Sequence, residues 1–423
     1  MEMSDPASQP AFLPGSFWRL LALAVFVALV WVRIPEIMHY DRFWAEEGTV
    51  YFARAWTLPW WQALWAPASG YLNLAANAAG LAARYLFPLH DAPRVTTLVA
   101  FAFQALPAVL LVTARDAWLR RPAVLFAAIL ILAMPPVCDE VWLNTTNSQF
   151  HLALAAALCL ALEVPIGVGA PARGLLLFLA PLCSPGCVAL APLFVARAAL
   201  DRQKGRAIQA GCIVAGAVLQ FALFYTSTPG RGHISGPATA ASIFAVKHLA
   251  IPFLGEQGAV LIADGLRDEV FAGHYPIAAI VAVAAVCGLI LAAVVVRRRS
   301  EPGWLLVAGL ALACLSYYGA LEGGTALISV VGENRYAFAP CMLFALAVLA
   351  LAATAADRIA QGAWAAVVWL LVIATQQTVL PQDPIFVQGP RWKTEIARWR
   401  ANPGHPLAIW PAGWAVIVPP HSE

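Results

Sequence analysis

The chain has 423 residues, of which 61% are hydrophobic and only 12% charged. A soluble domain carries about 45–50% apolar and about 25% charged residues, so the composition excludes a water-soluble fold and implies an all-α, polytopic transmembrane helix bundle in a lipid bilayer. The net charge of +3 is too small to argue for a nucleic-acid partner.

Residues 1–15 are polar and proline-bearing and are expected to be a disordered N-terminus. Phe17 to Ile37 reads as the first span, with Arg19 and Arg33 near its ends, where long basic side chains reach the interface. No small-residue cleavage site follows, so it reads as an uncleaved anchor rather than a signal peptide. The next stretch, Tyr40 to Trp61, sets Asp41, Glu46 and Glu47 among Tyr40, Phe43, Trp44, Tyr51, Phe52 and Trp56. Rings of this kind prefer the membrane–water interface. Leu58 to Trp65 reads as a second interfacial piece within this first outer loop, 38–70. Residues 70–88 are apolar but carry Asn73, Asn77 and Arg84, which suits a re-entrant or horizontal segment.

Spans follow at 94–114, 122–137 and 150–168. The segment 174–200 is interrupted by S-P-G at Ser184–Gly186, so it reads as a broken helix; a mid-span proline frees backbone groups that need new partners. Residues 207–225 span. The loop 226–275 has a semi-apolar middle, Ile243 to Ile262, expected to dip into the membrane. Spans at 276–296, 304–320, 336–355 and 363–380 complete the transmembrane domain, 16–380. In the tail, 381–423, Trp392, Ile396 and Trp399 recur at helical spacing among basic residues, which predicts an amphipathic helix lying on the membrane surface. His405 to Pro420 reads as a small extended cap.

Basic clusters at Arg115–Arg121, Arg197–Arg206, Arg297–Arg299 and Arg358 mark the cytoplasmic side. The loops 38–70, 138–148, 226–275 and 321–335, and the tail, then lie outside. This requires that 70–88 make no net crossing and that 174–200 return to its own side. The arithmetic gives 9 full spans, or roughly 10–13 if the doubtful pieces cross. The eight cysteines form no C-x-x-C motif, and nearly all fall in or beside apolar spans, where they act as small apolar fillers.

Three constellations can carry chemistry. The first is Asp41, Glu46 and Glu47, read as a general base or as ligands for Mg²⁺ or Mn²⁺, with a solvated acidic loop as the plain alternative. Glu46 is slightly preferred over Glu47. The second is Asp139 and Glu140, followed by Asn144, Asn147, Gln149 and His151. Asp139 is a candidate second metal ligand beside Glu46, and His151 reads equally as a core histidine. The third is Glu333, Arg335 and Tyr336. A guanidinium can grip a phosphate through two parallel hydrogen bonds, and pairing with Glu333 is the alternative. Arg231, His233 and Lys247 are looser candidates for the same duty.

Together these features resemble the GT-C class of polytopic glycosyltransferases. The likeness lies in layout: D-R-F-W-A-E-E-G just past the first span, C-D-E at 138–140, and E-N-R-Y-A-F-A-P with Arg335 at a span entrance. The first-loop acids depart from the class in forming an adjacent Glu46-Glu47 pair, which leaves open which carboxylate acts. The resemblance implies a polyprenyl-phosphate-linked sugar donor, an acceptor glycan, lipid or protein, a carboxylate base, inversion at the anomeric carbon, and Arg335 meeting the lipid phosphate. It implies a bacterial inner membrane with the site facing the periplasm. The alternatives are a flippase or transporter for lipid-linked sugars, and an O-antigen-type polymerase or ligase resting on Arg231 and His233.

Overall fold

The computed structural model describes residues 15–225, 235–296, 300–320, 324–355, 357–379 and 384–419. The described residues are mostly helical, with one short β-hairpin. α1 (Ser16–Arg33) packs one stripe, Ala22, Phe26 and Val30, on the bundle and leaves the opposite face to lipid. Its terminal arginines do not snorkel. Arg19 donates to the carbonyls of Val112 and Ala114 at 2.6 and 2.8 Å, and Arg33 pairs with Asp139 at 2.8 Å. Both are spent on neighbouring chain ends.

The first loop builds α2 (Pro35–Tyr40), a π-helical turn (Glu47–Phe52), α3 (Ala53–Thr57), α4 (Trp60–Trp65) and α5 (Leu74–Tyr85). Asn73 caps α5 and donates to Thr146, while Leu89, past its other end, accepts from Trp392 in the tail. Both ends of α5 therefore stay on the side of the first loop.

α6 (Ala92–Thr113) and α7 (Pro122–Ala133) lead to α8 (Ser148–Ala161), the centre of the bundle. From Leu152 to Leu162 every residue of α8 and its end is buried. An all-apolar helix suits that position, since protein surrounds it on all sides. α9 (Gly169–Cys183), a 3₁₀ stretch (Pro185–Leu190) and α10 (Ala191–Asp201) form the broken segment. Arg173, near its start, donates to the Glu163 carbonyl at 2.6 Å; Arg197, near its end, donates to the Leu160 carbonyl. The segment thus enters and returns at one end of α8, as the S-P-G break predicts.

α11 (Lys204–Tyr225) follows, then α12 (Pro237–Phe244), a π-helical turn (Ala245–Ala250) and α13 (Ile251–Phe271). The last is broken at Gly255, whose φ of 72° leaves the helical region. α14 (Ile277–Val296), α15 (Glu301–Tyr318), α16 (Arg335–Thr354) and α17 (Asp357–Val379) complete the bundle. In the tail, α18 (Pro384–Val387) and α19 (Trp392–Ala401) precede a hairpin of β1 (Leu407–Ile409) and β2 (Trp414–Val416), with Leu407 opposite Val416.

Among the described residues, six helical stretches are long and apolar enough to cross a membrane: 16–33, 89–113, 204–223, 237–271, 335–354 and 358–378. This is the pattern of a multi-pass membrane protein. The helices at 122–133, 148–161, 169–183 and 277–292 are apolar but shorter. At 1.5 Å per residue, a 14-residue helix such as α8 spans about 21 Å, less than the roughly 30 Å hydrocarbon layer. The expected spans at 122–137 and 150–168 are therefore helical over only part of their length.

The tail corrects the sequence reading. α19 does not lie on lipid. Trp392 and Ile396 are buried against Phe43 and Phe52 of the first loop, in one cluster with Leu407, Ile409, Val416 and Val418. Glu395, in the same helix, is 2% exposed and accepts from the Ala408 amide at 3.1 Å. The apolar face reads alike whether lipid or protein covers it, and here protein does.

Candidate functional site

The first loop, the 138–148 loop, the 332–336 turn and the tail gather at one end of the bundle. Their convergence sorts the expected residues. Asp41, 3% exposed, takes a two-pronged bond from Arg94 at 3.1 and 3.0 Å. Glu47, 1% exposed, accepts three hydrogen bonds: from the Thr145 amide at 2.8 Å, the Thr145 hydroxyl at 2.7 Å and the Trp44 amide at 3.2 Å. Burial pushes its carboxyl up, opposed by these bonds and by the charge of Arg42. Glu47 is thus a stitch between two loops.

Arg42 is buried over the rings of Trp44 and Trp410, at 4.7 and 5.5 Å, and donates to the Trp142 carbonyl at 3.3 Å. Burial pushes it down to about 10, against the pull of Glu47 and Glu140. It remains a cation at neutral pH.

Glu46 goes elsewhere. Ala45 adopts a φ of 38°, and its amide donates to the Trp410 carbonyl at 2.6 Å. The π-helical turn follows at once; such turns recur at functional sites. This local geometry directs Glu46, Val50 and Tyr51 to a chamber of about 390 Å³. Among the described residues, no hydrogen bond or ion pair holds the Glu46 carboxylate.

Much of the polar lining of the chamber comes from loops and first helical turns, with Glu46, Tyr51, Tyr71, Glu140, Asn147, Gln149 and Arg335; Ser184, Gln220 and Ser316 add polar groups from the break, α11 and α15. Deeper turns supply apolar groups, with Ala153 of α8, Leu312 and Leu315 of α15, and Ala339 of α16; the Ser184–Gly186 break also lines it. Gln149 donates to the Tyr71 hydroxyl at 3.0 Å. Asn144 and Asn147 both donate to the Glu140 carbonyl, at 2.8 and 2.9 Å, which fixes that turn.

Arg335 is ion-paired on two sides. One Nη donates to the Glu140 carboxylate, and the other to both oxygens of Glu333 at 2.9 and 3.0 Å. Tyr336 lines the chamber beside it. The pairing alternative for Arg335 is what the geometry realises.

The donor set expected for Mg²⁺ or Mn²⁺, Glu46 with Asp139, does not assemble. Asp139 is turned to Arg33 and is not part of the chamber lining. Among the described residues, no three of His, Cys, Asp and Glu lie together as a metal site. His151 also lies off the chamber, 1% exposed between the rings of Trp142 and Phe338 at 4.9 and 4.5 Å. Lys247 is buried in the 332–334 turn, 3.0 Å from the Gly332 carbonyl oxygen and bonded to the Asn334 side chain. Arg231 and His233 lie outside the described residues.

Sequence reasoning missed Arg42, Arg94, Tyr71, Thr145 and Gln220. Gln220, in mid-helix, accepts from the Leu72 amide at 3.2 Å and donates to its carbonyl at 2.9 Å, satisfying a non-helical backbone. A lone glutamine in an apolar helix was the available signal. For Thr145 it was the N-T-T-N run, which reads first as a glycosylation sequon.

Compared with protein families, curated proteins and solved structures, the chain matches none of them.

Proposed function

We propose that the chain is a membrane glycosyltransferase of GT-C type, moving a sugar from a polyprenyl-phosphate carrier to an acceptor hydroxyl. The observation that carries this is the chamber itself. Among the described residues, it holds one carboxylate without a cation, Glu46, and one guanidinium, Arg335, in a lining that mixes polar and apolar groups. An amphiphile with a sugar head fits such a lining.

In this reading Glu46 accepts the acceptor's proton as its oxygen attacks the anomeric carbon. The bond from that carbon to the carrier phosphate breaks in the same step, and the configuration inverts. The departing phosphate gathers negative charge and is met by Arg335. Asn147, Gln149, Tyr51 and Tyr71 supply donors and acceptors for sugar hydroxyls. In this reading the distribution of basic residues, with nine full crossings, sets the chamber at the outer face of a bacterial inner membrane.

A transporter would need ionisable groups along a path through the membrane. Among the described residues, the charged groups of the chamber lining are Glu46, Glu140 and Arg335, all from loops or a first helical turn, and Arg173, Arg197 and Arg206 at the far end are spent on carbonyls of α8 and its exit. This favours the enzyme.

The test is sugar transfer in membranes containing the wild type, Glu46→Gln or Glu47→Gln. Glu46→Gln should lower the rate by about 100-fold or more at an unchanged protein level. Glu47→Gln should lower the amount of folded protein instead. Full transfer by Glu46→Gln would sink the assignment of the base.

A further inference from the structure

Arg335 is the cation of the chamber lining, yet its fork is filled by the protein's own carboxylates. The two differ. Glu140 lines the chamber, and its backbone is fixed by Asn144 and Asn147. Glu333 is not part of that lining, and it reaches Arg335 with both oxygens from a turn only two residues away. That turn is forced: Glu333 has a φ of 51°, in the left-handed region that side chains other than glycine rarely occupy, and Gly332 before it has a φ of 87°. Both oxygens converge on one nitrogen of the guanidinium, so Glu333 holds a single prong of Arg335, and a phosphate oxygen can take that charge-assisted bond in its place.

A second cation stands behind Glu333. Lys247 is bonded to the Gly332 carbonyl oxygen and the Asn334 side chain, on either side of Glu333, and it feels the Glu333 charge. A carboxylate released by Arg335 therefore remains in the field of an ammonium bonded to both residues that flank it. Burying an unpaired charge is costly.

We propose that Glu333 is an internal stand-in for a lipid phosphate. The phosphate headgroup of a single-chain lipid takes the Arg335 nitrogen that Glu333 occupies, and Glu333 turns to Lys247, while Glu140 stays on the other nitrogen. The exchange rests on the transferase reading of the chamber and names the state of Arg335 in which that transfer begins. No covalent bond changes; one anion replaces another.

The test reads binding without turnover, so it fails or succeeds separately from the role of Glu46. Full-length protein in one neutral detergent is titrated with dodecyl phosphate and, in parallel, with inorganic phosphate, and bound ligand is counted by native mass spectrometry. Glu333→Gln should bind dodecyl phosphate about tenfold tighter than the wild type, a difference of about 1.4 kcal/mol. The gain should vanish in Glu333→Gln combined with Arg335→Gln. Glu333→Asp keeps the charge but shortens the reach, and should show a smaller gain; it serves if Glu333→Gln does not fold. Unchanged or weaker binding by the foldable variant overturns the proposal, as does a gain that survives loss of Arg335. An equal gain for inorganic phosphate overturns the assignment to a lipid headgroup.

Discussion

Asp116 lies in the turn between α6 and α7, fully buried at the far end of the bundle. One carboxylate oxygen accepts from the Glu163 amide at 3.0 Å; the other has no hydrogen-bond partner among the described residues. Burial pushes its pKa up to about 6, with the Glu163 and Glu301 carboxylates adding to the rise and the Glu163 amide opposing it; Arg197 and Arg206 also feel its charge. An unfolded aspartate titrates near 3.9, so the folded state holds this proton more tightly. The resulting stability is fully present below about pH 4 and is lost as pH rises through about 6. Ionisation at pH 7.5 costs on the order of 2–3 kcal/mol. Asp116→Asn should therefore raise the melting temperature in detergent at pH 7.5, with the gain shrinking toward zero at pH 4.5. A gain of equal size at both values would show that charge is not the cause. The same scale explains Glu46 and Glu47. They are neighbours in sequence with the same chemistry, and the bonds from Thr145, 98 residues away, together with the Trp44 amide tell them apart.

At the scale of elements, the S-P-G break was legible, because a proline leaves a local mark; whether 70–88 crosses was left open by its residues, which are apolar but carry Asn73, Asn77 and Arg84. What brings the π-helical turn close to α5 was not legible. Gly80 allows that approach: a Cβ there would lie 2.9 Å from the Tyr51 carbonyl oxygen and 3.1 Å from its carbon. Those atoms are backbone and cannot turn aside, and Tyr51 lines the chamber. Gly80→Ala should cost about 1–3 kcal/mol, as overpacking does, and should also slow sugar transfer. Thermal unfolding and initial rates on the same preparation check both. An unchanged rate with lowered stability would separate Gly80 from the site. The amphipathic pattern of α19 was legible too, but its partner was not, since an apolar stripe carries no record of what covers it.

At the scale of the molecule, the tail roofs the first loop. Trp44 and Trp410 form a backbone bridge, the ring of Trp392 meets Phe43 edge-on at 5.1 Å, and Ala45 is held by the Trp410 carbonyl just before Glu46. A chain ending at residue 379 should still insert, since the bundle does not include the tail. It should lose most transfer activity, and trypsin should cut after Arg42 or Arg54. Full activity and protease resistance in the truncated chain would refute the roofing role. The sequence by itself determined the membrane environment, the helical class and the gathering of acids in a few loops, because these follow from composition and local charge. It also marked the candidate residues. Only the tertiary structure decided that Asp41 pairs with Arg94, Asp139 with Arg33 and Glu47 with Thr145, and that Glu46 is left to the chamber. Such pairings join residues tens to more than a hundred positions apart, and neither periodicity nor composition records a contact made across that distance.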